Sequence, residues 1–94
     1  MLEILRTEDR EIKAVLEWWL VNIDGSFNPN GDTVWLAEIE VAPKYRNDGI
    51  IKQFINIVAD KVPNAKAGYF WRKRKYPDRK PKLYTRKQWL KLTK

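Results

Sequence analysis

The clearest pattern along the chain lies between residues 33 and 72, where the spacing of apolar residues changes from alternating to helical and back to alternating. Thr33–Val41 has apolar side chains on both faces and predicts a central strand with helices on at least one side. Residues 48–62 are apolar at helical spacing and end before Pro63, which predicts a helix. Residues 65–72 alternate again and predict a strand. This order of strand, helix and strand predicts a crossover joining two parallel strands.

Within Thr33–Val41, strict alternation divides the side chains between two faces. One face is predicted to carry Trp35, Ala37, Ile39 and Val41. The other face is predicted to carry Val34, Leu36, Glu38 and Glu40.

The N-terminal pattern predicts another helix. Residues 2–6 are a short first strand or an extended lead-in. After Thr7 or Asp9, either of which can cap a helix, apolar side chains recur 3, 4, 7, 8 and 11 residues from Ile12. We therefore predict a helix over about residues 8–22, with Trp18 off the apolar stripe and partly exposed.

The segment DGSFNPNGD, residues 24–32, is rich in turn-forming residues. Its alternating Asp, Ser and Asn side chains resemble a calcium loop. However, Pro29 stands where an EF-hand needs glycine, and Trp35 where it needs a bidentate glutamate. We predict an ordinary loop and no metal site.

The C-terminal part predicts a basic loop and a short helix. Residues 73–83 are interrupted by Pro77 and Pro81, and Thr85 and Gln88 have the spacing of a capping box before Trp89. We expect a single domain over residues 1–94, with a core in 1–72 and the basic loop and short helix in 73–94.

Composition narrows the chemistry. The chain has 94 residues, 44% of them apolar, including five tryptophans, which predicts one folded domain. No apolar run approaches the ~20 residues needed to span a bilayer, and the N-terminus turns acidic too early for a signal peptide. We expect a cytoplasmic location and no membrane partner. The chain has no cysteine and no histidine, which excludes thiol nucleophiles, thiolate zinc sites and Ser-His-Asp hydrolysis.

The net charge of +7 is concentrated at the C-terminus: residues 1–71 carry a net −3 and residues 72–94 a net +10. Aromatic residues interleave with these cations, a pattern that suits nucleic acid. The cations that would contact it are Arg72, Lys73, Arg74, Lys75, Arg79, Lys80 and Lys82. An acidic protein, the 3′-phosphate of coenzyme A, or plain solubility would use the same charges.

The segment from the end of the strand into the helix reads IEVAPKYRNDGII. With Pro43, Arg46 and Gly49 at the usual spacing, it resembles the acetyl-CoA-binding signature of the GCN5-related N-acetyltransferase (GNAT) superfamily. The resemblance covers about residues 33–72. It implies a shortened acyl-CoA N-acyltransferase-like fold, an α/β domain with a small mixed sheet and flanking helices. That family has two or more strands before the motif, whereas this sequence predicts one helix and a short lead-in.

The resemblance also implies a cofactor site for acetyl-CoA. In the family, backbone amides of the turn and first helical residues bind the pyrophosphate, which requires glycine only where a side chain would block approach. The corresponding residues are Arg46, Asn47, Asp48, Gly49, Ile50 and Ile51, and the strand end at Val41 and Ala42 would line the thioester. Ile51 stands where the family has glycine or alanine.

The implied reaction is direct attack of an amine on acetyl-CoA, with the amine acceptor left open. Glu38 and Glu40 are candidate bases, with solvated strand residues as the alternative. Tyr84 is a candidate acid, as are Tyr69 and Tyr76. The sequence thus predicts an N-acetyltransferase-like protein. The alternative is an inactive module whose basic C-terminal segment binds nucleic acid or an acidic protein. A small sheet has exposed edges, which favours a homodimer.

Overall fold

One mixed sheet organises the chain in a computed structural model that describes residues 1–46, 49–70, 78 and 80–91. Its elements are β1 (Leu2–Arg6), β2 (Ile12–Val21), β3 (Thr33–Val41), α1 (Ile50–Lys61), β4 (Ala67–Phe70), β5 (Lys82–Thr85) and α2 (Arg86–Lys91). The strands lie in sequence order, with β3 in the middle. β3 and β4 are parallel, and the other neighbours are antiparallel. The predicted α/β mixed sheet, central strand and parallel crossover pair are confirmed.

The helix predicted over residues 8–22 is wrong, because residues 12–21 form β2. Ala14, Leu16 and Trp18 alternate along β2 and are buried. Apolar residues are so dense here that the segment satisfies both a helical and an alternating pattern. Two neighbouring strands decide between them, because β2 pairs with β1 on one side and with β3 on the other. Trp18, predicted to be partly exposed, has no accessible surface (0%).

Thr7 closes a hairpin turn instead of capping a helix. Its N–H donates to the Glu11 carbonyl at 2.8 Å, and its carbonyl accepts from the Arg10 N–H at 2.9 Å. Arg10 has a positive φ of 65°, which completes the turn. Three strands therefore form the N-terminal part of the sheet, so two strands precede the turn at Pro43 besides β3 itself, where the sequence predicted one helix and a short lead-in.

A β-bulge in β3 changes the predicted division of its faces. Glu17 pairs with Glu38, but the next residue, Trp18, pairs with Leu36, so Ala37 has no partner in the ladder with β2. The alternation shifts by one residue at this point. The β3 side chains that pack on the helix-covered core are those of Val34, Leu36, Ile39 and Val41. The prediction that Ile39 and Val41 lie opposite Val34 is wrong, and Glu38 and Glu40 face away from the helices.

Both described helices cover the same face of the sheet. Phe54 and Val58 of α1 and Trp89 of α2 belong to one buried cluster with Leu16 and Trp18 of β2. None of the helices in the described ranges is long and apolar enough to cross a membrane.

Close approach of α2 to the sheet depends on Gly68 in β4. A Cβ at this position would lie 2.6 Å from Cε3 of Trp89, so any larger residue displaces the indole. The buried ring of Trp89 also stacks on Phe70, with ring centroids 5.7 Å apart. The absence of a side chain at Gly68 thus allows the C-terminal helix to pack against the sheet.

The C-terminal predictions are partly confirmed. The Thr85 N–H donates to Oε1 of Gln88 at 2.9 Å, and the Gln88 N–H donates to Oγ1 of Thr85 at 3.2 Å, which is the predicted capping box. Lys82 and Leu83, assigned to a loop, belong to β5, because pairing with β4 orders them. Of the strand predicted over residues 65–72, the structure has Ala67–Phe70, and residues 71 and 72 lie outside the described part.

A buried carboxylate joins β1, β2 and α1. The Trp18 indole N–H donates to Oε2 of Glu3 at 3.0 Å, and the Lys61 ammonium donates to both Glu3 oxygens at 2.7 and 2.8 Å. Burial alone would raise the pKa of Glu3, but the hydrogen bonds from Lys61 and Trp18 outweigh it and lower this pKa below its ordinary value. The ionised form of Glu3 therefore stabilises the fold.

We expect Glu3→Gln to lower the free energy of unfolding by about 1–2 kcal/mol at pH 7, a modest value because half of the Lys61 side chain is exposed. Because the folded-state pKa is the lower one, this contribution is complete above the ordinary value of 4.5 and is lost as the pH falls through the folded-state pKa. Urea unfolding of both proteins from pH 7 into the acid range measures the difference.

The matched control for Glu3→Gln is Glu17→Gln, which removes an exposed carboxylate from the neighbouring strand and should change stability little. A Glu3→Gln difference that stays constant from neutral to acid pH would contradict the stabilising role of the ionised carboxylate.

Candidate functional site

The segment that follows β3 forms a tight turn leading into α1. Pro43–Tyr45 is a single 3-10 turn, in which the Tyr45 N–H donates to the Ala42 carbonyl at 2.9 Å. Proline suits the first position of such a turn because its fixed φ is already helical. Arg46 then returns to an extended conformation. Asn47 and Asp48, two of the predicted cofactor-binding residues, lie outside the described part of the chain.

Gly49 is the N-cap residue of α1, immediately before Ile50, and has a left-handed backbone conformation with φ of 71°. A Cβ built on it would meet no atom within 4 Å, so the space beside this glycine is open. Gly49 has no side chain with which to cap the helix, and the first turn carries no acidic residue. The first helical hydrogen bond runs from Gln53 N to Gly49 O at 3.1 Å, so the amides of Ile50 and Ile51 precede it.

This helix start has the properties of an anion site. The positive end of the dipole of a 12-residue helix lies at this start, where no side chain caps the first amides. Ile50 is buried in the core and fixes the helix to the sheet, whereas Ile51 is half-buried. Of the predicted cofactor-binding residues that the structure describes, Val41 ends β3, Arg46 follows the 3-10 turn, and Gly49, Ile50 and Ile51 form the helix start.

An open depression lies at the end of β3, beside this turn. It is lined by residues of β2, β3 and the turn, namely Ile12, Lys13, Ala14, Val15, Glu40, Val41, Ala42, Pro43 and Arg46. Two cations and one carboxylate therefore line a partly apolar surface. Such a surface suits a ligand with an anionic part and an uncharged part.

Cations surround Tyr45 at the rim of this depression. The ammonium groups of Lys13 and Lys44 lie 5.5 and 5.4 Å from the centre of the Tyr45 ring, within cation–π distance. Lys44 also pairs with Glu11 at 2.6 Å, and this hydrogen bond raises the pKa of Lys44. Together with Arg46, these residues give the end of β3 a positive local charge. The sequence missed Lys13 because residues 8–22 were predicted to be helical; the alternation of Ala14, Leu16 and Trp18 was the signal that could have found it.

The parallel pairing of β3 with β4 is short. It joins Thr33–Trp35 to Ala67–Tyr69. β3 continues for six further residues, through Val41, and no described strand pairs with that stretch on the β4 side. The bulge at Ala37 lies within the same stretch. β3 therefore extends beyond its pairing with β4 up to the turn that begins at Pro43.

The candidate catalytic residues do not all come together. Glu38 and Glu40 are exposed and lie on the face away from the helices; Glu40 lines the depression beside the turn. Tyr84 lies in β5 opposite Gly68, and its ring stacks on Phe70 with centroids 5.4 Å apart, on the helix-covered face. Tyr84 is thus separated by the sheet from both glutamates. The hydroxyl of Tyr69 donates to the Ile23 carbonyl at 2.5 Å.

Five of the seven cations predicted to contact nucleic acid lie outside the described part of the chain, namely Arg72, Lys73, Arg74, Lys75 and Arg79. Tyr76, one of the candidate acids, also lies outside it. Lys80 and Lys82 are exposed, and the Lys82 ammonium lies 5.3 Å from the centre of the Tyr84 ring.

Arg86, a cation of the same basic segment, has a structural role. Its guanidinium donates to the carbonyls of Val62 and Ala65 at 3.0 Å and of Ala59 at 3.2 Å, at the C-terminal end of α1 and in the turn that follows it. This arginine therefore contributes to the fold itself.

Comparisons of the chain with protein-family models, with curated proteins and with solved structures found no match.

Proposed function

We propose that this protein binds acetyl-CoA at the turn between β3 and α1 and acts as an N-acetyltransferase-like protein. The observation that carries the proposal is the uncapped start of α1 at Gly49, which follows a turn whose Arg46 lines the depression at the end of β3. Backbone amides of Ile50 and Ile51, which precede the first helical hydrogen bond, would hold the pyrophosphate at the positive end of the helix dipole.

The arrangement of β3 and β4 supports the same proposal. Coenzyme A carries two amides in its pantetheine arm, which need hydrogen-bonding partners along an extended path. β3 extends six residues beyond its pairing with β4 and ends at the turn, so an arm that leaves the turn would run along this strand. In this arrangement the diphosphate lies at the turn and the thioester lies along β3, near the bulge.

The proposed chemistry is a single transfer. The lone pair of an unprotonated amine attacks the thioester carbonyl, the C–N bond forms, and the C–S bond breaks as coenzyme A leaves as a thiolate. The proton lost by the amine passes to a carboxylate or to water, and the thiolate takes up a proton. Glu40, which borders the depression, is the better placed of the two candidate bases, and Glu38 lies two residues away on the same face.

The test is the melting temperature with and without acetyl-CoA. Ligand at ~100 times its dissociation constant adds about 2.7 kcal/mol, and a domain of this size gains roughly 4–8 °C per kcal/mol. We expect a rise of about 10 °C or more with acetyl-CoA and a clearly smaller one with ATP at the same concentration. Equal shifts with both ligands would indicate general anion binding, and no shift would leave the inactive basic module as the better hypothesis.

A matched pair of glycine variants assigns the site. Gly49 and Gly25 both have positive φ, 71° and 90°, so alanine strains the backbone at either position. Gly49→Ala adds a methyl group where the pyrophosphate would lie, whereas Gly25→Ala lies in the loop beside Trp35. We expect both variants to melt somewhat earlier, but only Gly49→Ala to lose much of the acetyl-CoA shift. Equal retention of the shift in both would place the ligand elsewhere.

A further inference from the structure

The two edges of the sheet differ in their protection against pairing with another strand. β5 is four residues long, follows Pro81, begins at Lys82 and runs directly into α2. Proline, lysine and short length are features by which natural sheets block pairing at an edge. β1, at the other edge, is five residues long and contains neither proline nor lysine. Its two charged residues are Glu3, which turns inward and is neutralised by Lys61, and Arg6 at its end. No strand in the described part of the chain pairs with its outer side.

Apolar side chains are concentrated at the β1 edge. Met1, Leu2 and Ile4 are 61%, 58% and 41% exposed. Leu2 and Ile4 lie on the face away from the helices, because Glu3 between them turns into the core to meet Trp18. An edge strand with adjacent exposed apolar residues is a template for a further strand.

The outer side of β1 also presents a regular set of backbone groups. Met1 and Trp18 exchange backbone hydrogen bonds: the Trp18 N–H donates to the Met1 carbonyl at 2.9 Å, and the Met1 amino group donates to the Trp18 carbonyl. Because antiparallel pairing alternates along a strand, the N–H and C=O groups of Leu2, Ile4 and Arg6 point away from β2.

We propose that a second copy of this chain pairs with β1, antiparallel and about a twofold axis at Ile4, to make one continuous sheet. In this register Ile4 lies opposite the partner's Ile4, and Leu2 lies opposite the partner's Arg6. All outward-pointing N–H and C=O groups of both strands are then paired, and the apolar stem of Arg6 covers a leucine. The contact is self-complementary, as a twofold interface requires.

Neighbouring registers are poorer. A twofold axis at Glu3 places that carboxylate opposite the partner's Glu3, two like charges facing each other. A twofold axis at Leu5 leaves Leu2 beyond the end of the paired strand. Of these registers, self-pairing at Ile4 is the one that pairs the whole strand without opposing like charges, which favours a second copy as the occupant.

The test uses the absence of cysteine in this chain, because Ile4→Cys introduces a single thiol. Leu83→Cys is the matched control: Leu83 is 39% exposed and lies on the opposite edge strand. Directly opposed residues of a hydrogen-bonded antiparallel pair have Cα atoms about 5.5 Å apart, within the range of a disulfide. Under mild oxidation we expect most of the Ile4→Cys protein, and little of the Leu83→Cys protein, to migrate as a disulfide-linked dimer.

A second measurement removes the need for cross-linking. Sedimentation should show a dimer for the unmodified protein and for Leu83→Lys, and a monomer for Ile4→Lys, since both positions tolerate a charge in the folded monomer. Circular dichroism confirms that each variant is folded. A monomer for the unmodified protein at millimolar concentration, or equal behaviour of the two lysine variants, would overturn the proposal.

The dimer and the acetyl-CoA site are tested independently. Ile4 is outside the turn and helix start that form the proposed site, so Ile4→Lys should keep the acetyl-CoA melting shift of the unmodified protein. A protein that dimerises but shows no shift would refute the function alone, and a shift in a monomeric protein would refute the dimer alone.

Discussion

Replacing Trp18 by alanine should lower the free energy of unfolding by about 3–5 kcal/mol, a large part of the stability of a domain of this size. The Trp18 side chain is fully buried between the sheet and the helices, so its removal leaves a cavity among Leu16, Phe54 and the other core residues. The variant also deprives Glu3 of the indole hydrogen bond. Urea unfolding followed by circular dichroism measures the loss.

The neighbouring tryptophan provides the control for Trp18→Ala. Trp19 is half-buried on the face that the described helices leave uncovered, so Trp19→Ala should cost clearly less, about 1–2 kcal/mol. A helix over residues 8–22 predicts the reverse order, because there Trp19 lies on the apolar stripe and Trp18 lies off it. A larger cost at Trp19 than at Trp18 would therefore contradict the β2 strand as well as the burial of Trp18.

Trp18→Phe separates the two contributions of this side chain. Phenylalanine keeps much of the apolar contact but has no N–H to donate to Glu3. We expect this variant to lie between the unmodified protein and Trp18→Ala.

Arg86→Ala should destabilise the fold by about 2–4 kcal/mol, although Arg86 belongs to a segment whose charge suggests a solvated or ligand-binding role. The guanidinium donates to three carbonyls at the end of α1, and hydrogen bonds from a charged donor are the stronger kind. Arg86 is the first residue of α2 and lies 5.4 Å from the centre of the Trp89 ring in the same helix, so its hydrogen bonds to these carbonyls join α1 to α2. The midpoint of urea unfolding measures the effect.

Two further substitutions identify the cause of the Arg86 effect. Lys87→Ala removes an exposed charge from the next residue and should change stability by no more than about 0.5 kcal/mol. Arg86→Lys should recover little, because one ammonium cannot reproduce a planar fork that reaches separate carbonyls. Equal effects of Arg86→Ala and Lys87→Ala would mean that net charge, and not the three hydrogen bonds, determines the stability of this segment.

Local sequence was sufficient where one pattern excluded the others. Thr33–Val41 was predicted with the bounds that the structure has, because both faces are apolar and Pro43 cannot continue the strand. The helix before Pro63 and the capping box at Thr85 and Gln88 were likewise predicted from spacing and end signals. The turn that contains Arg46 and Gly49 was predicted in the same way, since it is formed by consecutive residues between a strand and a helix.

Tertiary structure decided everything that depends on a partner far away in sequence. Residues 12–21 suit a helix or a strand when taken alone, and pairing with β1 and β3 made them a strand. The bulge at Ala37 also arises from the pairing of β2 with β3, and it moved Glu38 and Glu40 to the face opposite Tyr84. The role of Arg86 required the end of α1 to be nearby. In each case, hydrogen bonds and burial between distant segments outweighed a local preference worth only a fraction of a kcal/mol per residue.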